Sequence, residues 1–381
     1  MSFLMDGRPL QNASAVRGIG SYAAGLLGGF AELGSDGETE LLLASAAPVP
    51  RREFIHGASV APLRVPRVHP TLQQIVDPLF VGWAVRRLRP RLYHGIEFGQ
   101  PLAAPVPIVM TVHDLIPFLY PTDYPWVRRS RLAALRLLRY ATAVIAVSAA
   151  TADDVVRHAS VAPERVTVVH NGISAAFRPA SPDAVAGMRR RLGLSHRYLL
   201  AVGTFDPRKR AHLIAQVAAR LLTDGDLRLV IAGDQGKFEA LVRAELRNAG
   251  IADRSRLAGH VEEPTLAALY SGAECLLFTS AYEGFGLPVA EAMACGTPVA
   301  VFANSSMREV AGPAALMVRD GDAAAMARAV ARLLADPDER DDRREAGLRW
   351  VTQFTWRRAA EATLEVYAQA ERRRRSRDCN V

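Results

Sequence analysis

Short, continuous apolar runs alternate along the whole chain with longer segments whose apolar residues recur at helical spacing. Apolar runs bounded by turn residues suit strands buried on both faces, and the intervening segments suit crossover helices, so both halves are predicted to hold a parallel sheet. In the first half, strands are expected over 3–6, 39–44, 92–94, 108–112 and 144–147, with helices over much of 20–33, 71–88, 127–140 and 149–158. In the second half, strands are expected over 166–170, 198–202, 227–232, 256–257, 275–279 and 298–302, with helices over 207–222, 238–248 and 266–273. The pattern breaks at Asn171-Gly172 and again at Phe177-Arg-Pro-Ala-Ser-Pro182. Glycine and proline there disfavour helix and strand alike, which places a hinge over 172–182.

Length and composition fit this division. The chain has 381 residues, half of them hydrophobic, enough for two cores of ordinary size. Its three cysteines, Cys275, Cys295 and Cys379, are too few and scattered for a disulfide framework or a structural zinc site and suit a reducing cytoplasm. The first residues lack the charged start and apolar core of a signal peptide, and no run has the length of a membrane span. A formal charge of +8 suits the phosphates of a nucleotide, a lipid headgroup or a nucleic acid, without choosing among them. Residues 126–140 mix arginine and leucine as a surface-bound helix would, and equally as a core-packed helix with a basic outer face. The arginine run ending at Arg377 would give salt-sensitive attraction to anionic lipid. Sparse aromatics and the absence of a recognition motif argue against nucleic acid. No Gly-x-Gly-x-x-Gly or Walker string occurs, which argues against a nicotinamide enzyme or a P-loop ATPase.

The densest chemistry lies in Glu283-Gly-Phe-Gly-Leu-Pro-Val-Ala-Glu291, between two expected strands. Pro288 suits the start of a helix, Gly296 its cap and Pro298 its exit. Glu283 then lies at the carboxyl end of a strand, where open parallel sheets bind ligands, and Glu291 one turn into the helix. The backbone N–H groups of Phe285, Gly286 and Leu287 are expected to face an anion. A sugar nucleotide, with hydroxyls at both ends and a diphosphate between, has matching features. A second such turn follows the strand at 198–202: Asp206-Pro207 suits a helix start, which puts Arg208 and Lys209 in the first turn. Cations are unfavourable there unless an anion binds nearby. His113-Asp114 also ends a strand, where a histidine can meet a sugar hydroxyl or be a satisfied structural residue. His94 is a weaker candidate of the same type, His170 and Asn171 read as connectors, and Arg17-Gly-Ile-Gly20 allows close backbone approach before a helix.

The string Glu-x7-Glu followed by Ala-Met-Ala-Cys-Gly-Thr-Pro-Val resembles the signature of family 4 retaining glycosyltransferases, which have the GT-B fold. The resemblance extends to Val-Gly-Thr-Phe-Asp-Pro-Arg-Lys (202–209), Thr-Val-His-Asp (111–114), Val-His-Asn-Gly-Ile (169–173) and Phe-Thr-Trp (354–356), and so covers nearly the whole chain. It implies an α/β protein of two Rossmann-like domains facing across a cleft. These would be an acceptor-binding domain over 1–172, a sugar-nucleotide domain over 173–355, and a helix over 356–381 that crosses back to the first domain and ends in a basic tail. It further implies that Lys209, assisted by Arg208, grips the donor diphosphate, that Glu283 and His113 contact the transferred sugar, and that Glu291 holds the ribose. Gly284, Phe285, Gly286 and Leu287 would line the phosphates, with Gly18 and Gly20 above them. The loop at Val261, with Leu266 beside it, would meet the base through its main chain. Many family members carry arginine where this chain has Thr204, which shifts the phosphate charge onto Lys209, Arg208 and the 285–287 amides.

The implied reaction is metal-independent, needs no cofactor beyond the nucleoside-diphosphate sugar, and moves a hexosyl group from GDP-mannose or a similar donor to a hydroxyl acceptor in bacterial glycan assembly. Retaining glycosidases use a carboxylate nucleophile. Here both glutamates are engaged by substrate hydroxyls, so front-face attack is expected, with the departing phosphate oxygen taking the acceptor proton. Secondary-metabolite glycosylation, a phosphorylase or disaccharide synthase of the same fold, and a non-catalytic sugar-nucleotide binder are the competing readings. The protein is expected in the cytoplasm or at the inner face of the membrane, in peripheral contact with anionic lipid. Oligomeric state and acceptor leave no readable trace.

Overall fold

The computed structural model describes residues 2–12, 18–66, 70–97, 100–101, 104–124, 132, 134–223, 225–234 and 236–378. The chain divides into two compact units, Met1–Gly172 together with Phe354–Val381, and Ile173–Gln353.

The first unit is built on seven strands: β1 (Phe3–Asp6), β2 (Thr39–Ala44), β3 (Ser59–Leu63), β4 (Leu92–Gly95), β5 (Ile108–Val112), β6 (Ala143–Ala146) and β7 (Val166–Val168). Their order is β3-β2-β1-β4-β5-β6-β7, and every neighbouring pair is parallel. The second unit has β8 (Arg197–Val202), β9 (Leu227–Ala232), β10 (Ser255–Gly259), β11 (Cys275–Phe278), β12 (Val299–Phe302) and β13 (Leu316–Val318), in the order β10-β9-β8-β11-β12-β13, again parallel. Both are doubly wound, Rossmann-like sheets. The winding reverses between β1 and β4 and between β8 and β11, so the loops after these strands diverge and leave a crevice at the carboxyl edge.

Apolar strand runs are buried on both faces because helices cover both. In the second unit the helices Ala211–Leu221 and Ala323–Ala335 set Ile214, Val217, Met326 and Val330 against Leu199, Leu229 and Leu277. In the first, the helix Gly18–Glu32 packs along the last helix, Trp356–Asp378. Two glycines permit that approach: a Cβ at Gly25 would overlap the Trp356 ring, and one at Gly29 the Trp356 carbonyl. Gly29→Ala is expected to lower stability by about 1–3 kcal/mol through overpacking. Gly187→Ala, in a helix with open space around it, should instead gain about 0.5–1 kcal/mol. Urea unfolding followed separately for each unit checks both signs.

Several elements differ from expectation. β3 contains Pro62, which argues against a strand unless it lies at a sheet edge, where β3 does lie. β7 was expected with the second half, but its pairing with β6 puts it in the first sheet. β13 and the helices Pro182–Leu192, Ala323–Ala335 and Pro337–Val351 were not predicted. The helix expected over 207–222 is broken at Arg210, whose φ of 53° is left-handed. Of the basic segment 126–140, residues 126–131 and 133 lie outside the described residues, as do Arg17 and Cys379; Leu138–Tyr140 is a 3-10 turn.

Candidate functional site

The β8 and β11 loops converge at the second unit's switch point. After β8, Pro207–Lys209 forms a 3-10 turn that ends at left-handed Arg210. Arg208 and Lys209 therefore do not stand in the first turn of a long helix, and Asp206 makes no side-chain cap. A partner 75 and 74 residues further on draws them inward instead. Lys209 Nζ donates to Glu283 Oε1 at 2.6 Å, and Arg208 Nη1 donates to the same oxygen at 2.7 Å and to the Tyr282 carbonyl at 2.5 Å. Asp206 Oδ2 lies 3.6 Å from Arg208 Nη2, and the Lys209 ammonium lies 5.0 Å from the Phe278 ring centroid.

Arg208, Lys209 and Glu283 are all buried. Burial alone would raise the Glu283 carboxyl, but Lys209 and Arg208 outweigh it and hold the group at about 2. Burial likewise pushes the Lys209 ammonium down, opposed by Glu283. Buried ion clusters of this kind contribute little net stability compared with apolar packing. Two cations and a carboxylate at a switch point mark a place for anionic and hydroxylated ligands.

Groups absent from the sequence reading hold this cluster. Ser305 Oγ accepts from the Glu283 N–H at 3.0 Å, while Ser306 Oγ donates to the carbonyls of Glu283 and Phe285 at 3.0 and 2.9 Å. Asn304 donates to the Ser280 carbonyl and to Asp320, and Asp320 also pairs with Arg210, which fixes the residue that ends the 3-10 turn. Thr279 Oγ1 donates to the Lys209 carbonyl at 2.9 Å. The available signal was Asn304-Ser-Ser306 after the strand next to β11.

Gly284, Phe285 and Gly286 are buried, and Leu287 begins the helix Leu287–Ala294. Gly286 is its N-terminal cap residue at φ 95°, which a side chain at this position would strain. Glu291, on this helix, accepts from the Tyr270 hydroxyl at 3.1 Å. Burial raises its carboxyl to about 7, with Tyr270 pulling it down and Glu263 pushing it up. The two glutamates of the string are thus driven apart, one firmly ionised and the other near half-protonated at neutral pH. Thr204 is exposed in the loop after β8; Val261 follows β10 and Leu266 lies on the helix Glu263–Ser271, both half-buried.

Gly18, Gly20 and His113 belong to the other unit. Gly18 opens the helix Gly18–Glu32 and is exposed, whereas Gly20 is buried. His113, half-buried after β5, donates from Nε2 to the Ile96 carbonyl at 3.0 Å and meets the Tyr22 ring edge-on at 4.7 Å. Asp114 Oδ1 accepts the Ile116 N–H at 2.9 Å. His94 is a core histidine: it hydrogen-bonds Tyr367 at 2.6 Å and Thr111 at 2.8 Å, and burial, helped by His113, lowers it to about 3. Thr111 in turn meets the Tyr22 hydroxyl at 3.0 Å. A hydrogen-bonded chain thus runs from the last helix to the ring packed on His113.

Residues 16–177 match the family described as Glycosyltransferase Family 4, and residues 189–350 match that described as Glycosyl transferases group 1. The chain is 29% identical over 318 residues to the O-antigen chain mannosyltransferase B of Escherichia coli, covering 82% of this chain and 83% of that one. It is 33% identical over 288 residues to the D-inositol 3-phosphate glycosyltransferase of Xylanimonas cellulosilytica, covering 71% of this chain and 68% of that one. It spans 57–68% of the length of the inositol-phosphate relatives it matches. Among solved structures, the Anabaena protein HepE in complex with UDP-glucose superposes with a TM-score of 0.75 at 18% identity, over 97% of this chain and 99% of that one.

Proposed function

The chain belongs to the family 4, or group 1, glycosyltransferases and has the GT-B fold, and from that premise we propose that it transfers a hexosyl group, with retention of configuration, from a nucleoside-diphosphate sugar to an acceptor hydroxyl in glycan assembly. The observation that carries this reading is the buried cluster of Arg208, Lys209 and Glu283 at the β8–β11 switch point. In the reaction the acceptor oxygen attacks the anomeric carbon as its bond to the diphosphate breaks, and the departing phosphate oxygen takes the acceptor proton. Negative charge grows on the diphosphate, and Lys209 and Arg208 supply the opposing field that another enzyme would draw from a divalent cation. Glu283 binds hydroxyls of the transferred sugar, His113 accepts from another at Nδ1, and Glu291 accepts from the ribose. The mannosyltransferase name of the Escherichia coli relative favours GDP-mannose.

Calorimetric titration with GDP, UDP, ADP and dTDP in EDTA tests the donor site. Micromolar binding of one nucleotide, weakened at least about tenfold in both Lys209→Ala and Glu291→Ala, is expected. Absence of binding for all four would overturn the reading.

Glu291 adds a pH signature. Ribose hydroxyls donate to a carboxylate, so nucleotide binding draws this group towards its ionised form and releases a proton near pH 7. Titrations in buffers of different ionisation enthalpy should detect that proton in the wild type and none in Glu291→Gln. In the empty protein the sign is fixed by linkage: with the native value of about 7 above the ordinary 4.5, Glu291 stabilises the fold below pH 4.5, and that contribution is lost as pH rises to 7. The Tm of Glu291→Gln should therefore fall less than that of the wild type across this window.

A further inference from the structure

The helix Pro70–Leu88 sets Pro78, Val81, Ala84 and Val85 towards the first unit's core. At about 100° per residue, the opposite face carries Leu72, Val76, Leu79 and Trp83 in one stripe. It is uncovered: Leu72 is 55%, Leu79 52% and Trp83 57% exposed. A helix apolar on both sides is ordinarily enclosed by protein. Arg86 and Arg87, both exposed, end the stripe, and the Arg87 guanidinium lies 5.6 Å from the Trp83 ring centroid. Exposed Arg89 follows. The helix's one acidic residue, Asp77, turns away from the stripe towards Gln73 and Arg8.

We propose that this face docks on an anionic lipid bilayer, with Leu72, Leu79 and Trp83 in the boundary between headgroups and acyl chains and Arg86, Arg87 and Arg89 on the lipid phosphates. Charge complementarity selects this occupant: an apolar stripe without an acid, closed at one end by three cations, matches a surface that is apolar below and anionic above. The tryptophan with its stacked arginine suits the same boundary. The contact is peripheral, since no described helix is long and apolar enough to cross a membrane. The proposal uses no residue of the 126–140 segment or of the arginine tail, and it is independent of the donor site.

Flotation of the full chain with vesicles of phosphatidylcholine and phosphatidylglycerol, and of phosphatidylcholine alone, tests it. The wild type should float with the anionic vesicles at low salt. The double variant Arg86→Gln/Arg87→Gln should lose about thirtyfold in partitioning, because each arginine near an anionic surface contributes about fivefold. Leu79→Glu/Trp83→Glu should lose at least about tenfold, and neither should change Tm, as these side chains are exposed. Brominated lipid should quench the wild-type tryptophan fluorescence and quench Trp83→Phe far less. No flotation of the wild type, equal flotation of the variants, or a wild-type dimer that Trp83→Glu dissociates with no change in flotation would each overturn the proposal, the last by assigning the face to a second copy of the chain.

Discussion

Lys209→Ala is expected to lower kcat at saturating donor by about 10²–10³-fold, the scale for removing one preorganised group aimed at developing charge. Two roles for this ammonium give different kinetics. If it acts on the departing diphosphate, its interaction strengthens as the bond breaks, so kcat and kcat/KM fall together. If it serves only to hold Glu283, which it contacts at 2.6 Å, the loss should appear in recognition of the sugar, as a raised donor KM and relaxed choice between epimers. Lys209→Ala removes the group under both roles, so steady-state kinetics with the cognate donor and its epimer separate them. Unchanged turnover at saturation would rule out the first role. Arg208 shares the same carboxylate oxygen and would partly compensate, so Arg208→Ala alone should have a smaller effect.

Glu283→Gln is expected to abolish most turnover and to destabilise the second unit by about 3–5 kcal/mol, the usual result of removing one partner from a buried ion pair. The cause is what remains: Arg208 and Lys209 stay buried, with Asp206 Oδ2 at 3.6 Å from the Arg208 guanidinium. An anion seated against them would offset that deficit. The cognate nucleoside diphosphate should therefore raise the Tm of Glu283→Gln by more than it raises that of the wild type. Thermal shift with and without nucleotide decides the point. An equal rise in both proteins would place the diphosphate away from these cations. The ionised Glu283 also gives an acid signature: held at about 2 against an ordinary 4.5, it stabilises the fold above pH 4.5, and that contribution is lost as pH falls towards 2.

The architecture was legible because a parallel sheet buried on both faces writes itself as uninterrupted apolar runs, and Leu199–Ala201 and Leu276–Phe278 are such runs. Edge strands write a weaker signal: β3 carries a proline and β13 has three residues. At the site, the glutamates and basic residues were legible as chemistry, but their conformation was not. Local rules start a helix at Pro207, whereas the inward turn of Arg208 and Lys209 depends on Glu283, and left-handed Arg210 is fixed by Asp320, 110 residues on. His94 and His113 show the same limit. Both follow apolar runs and read alike, yet the hydroxyls of Tyr367 and Thr111 make the first a structural residue, and no sequence spacing brings those hydroxyls to it.

Because Trp356–Asp378 belongs with the first unit, a segment made after the second unit completes the part made first. During translation the uninterrupted segment Ile173–Gln353 can fold as soon as it leaves the ribosome, while the earlier-made segment waits with Tyr22, Phe30 and His94 uncovered. The order of maturation is thus the reverse of the order of synthesis. A chain that terminates after Gln353 and before this helix, with its second unit finished, should be retained by chaperones through those uncovered side chains and degraded.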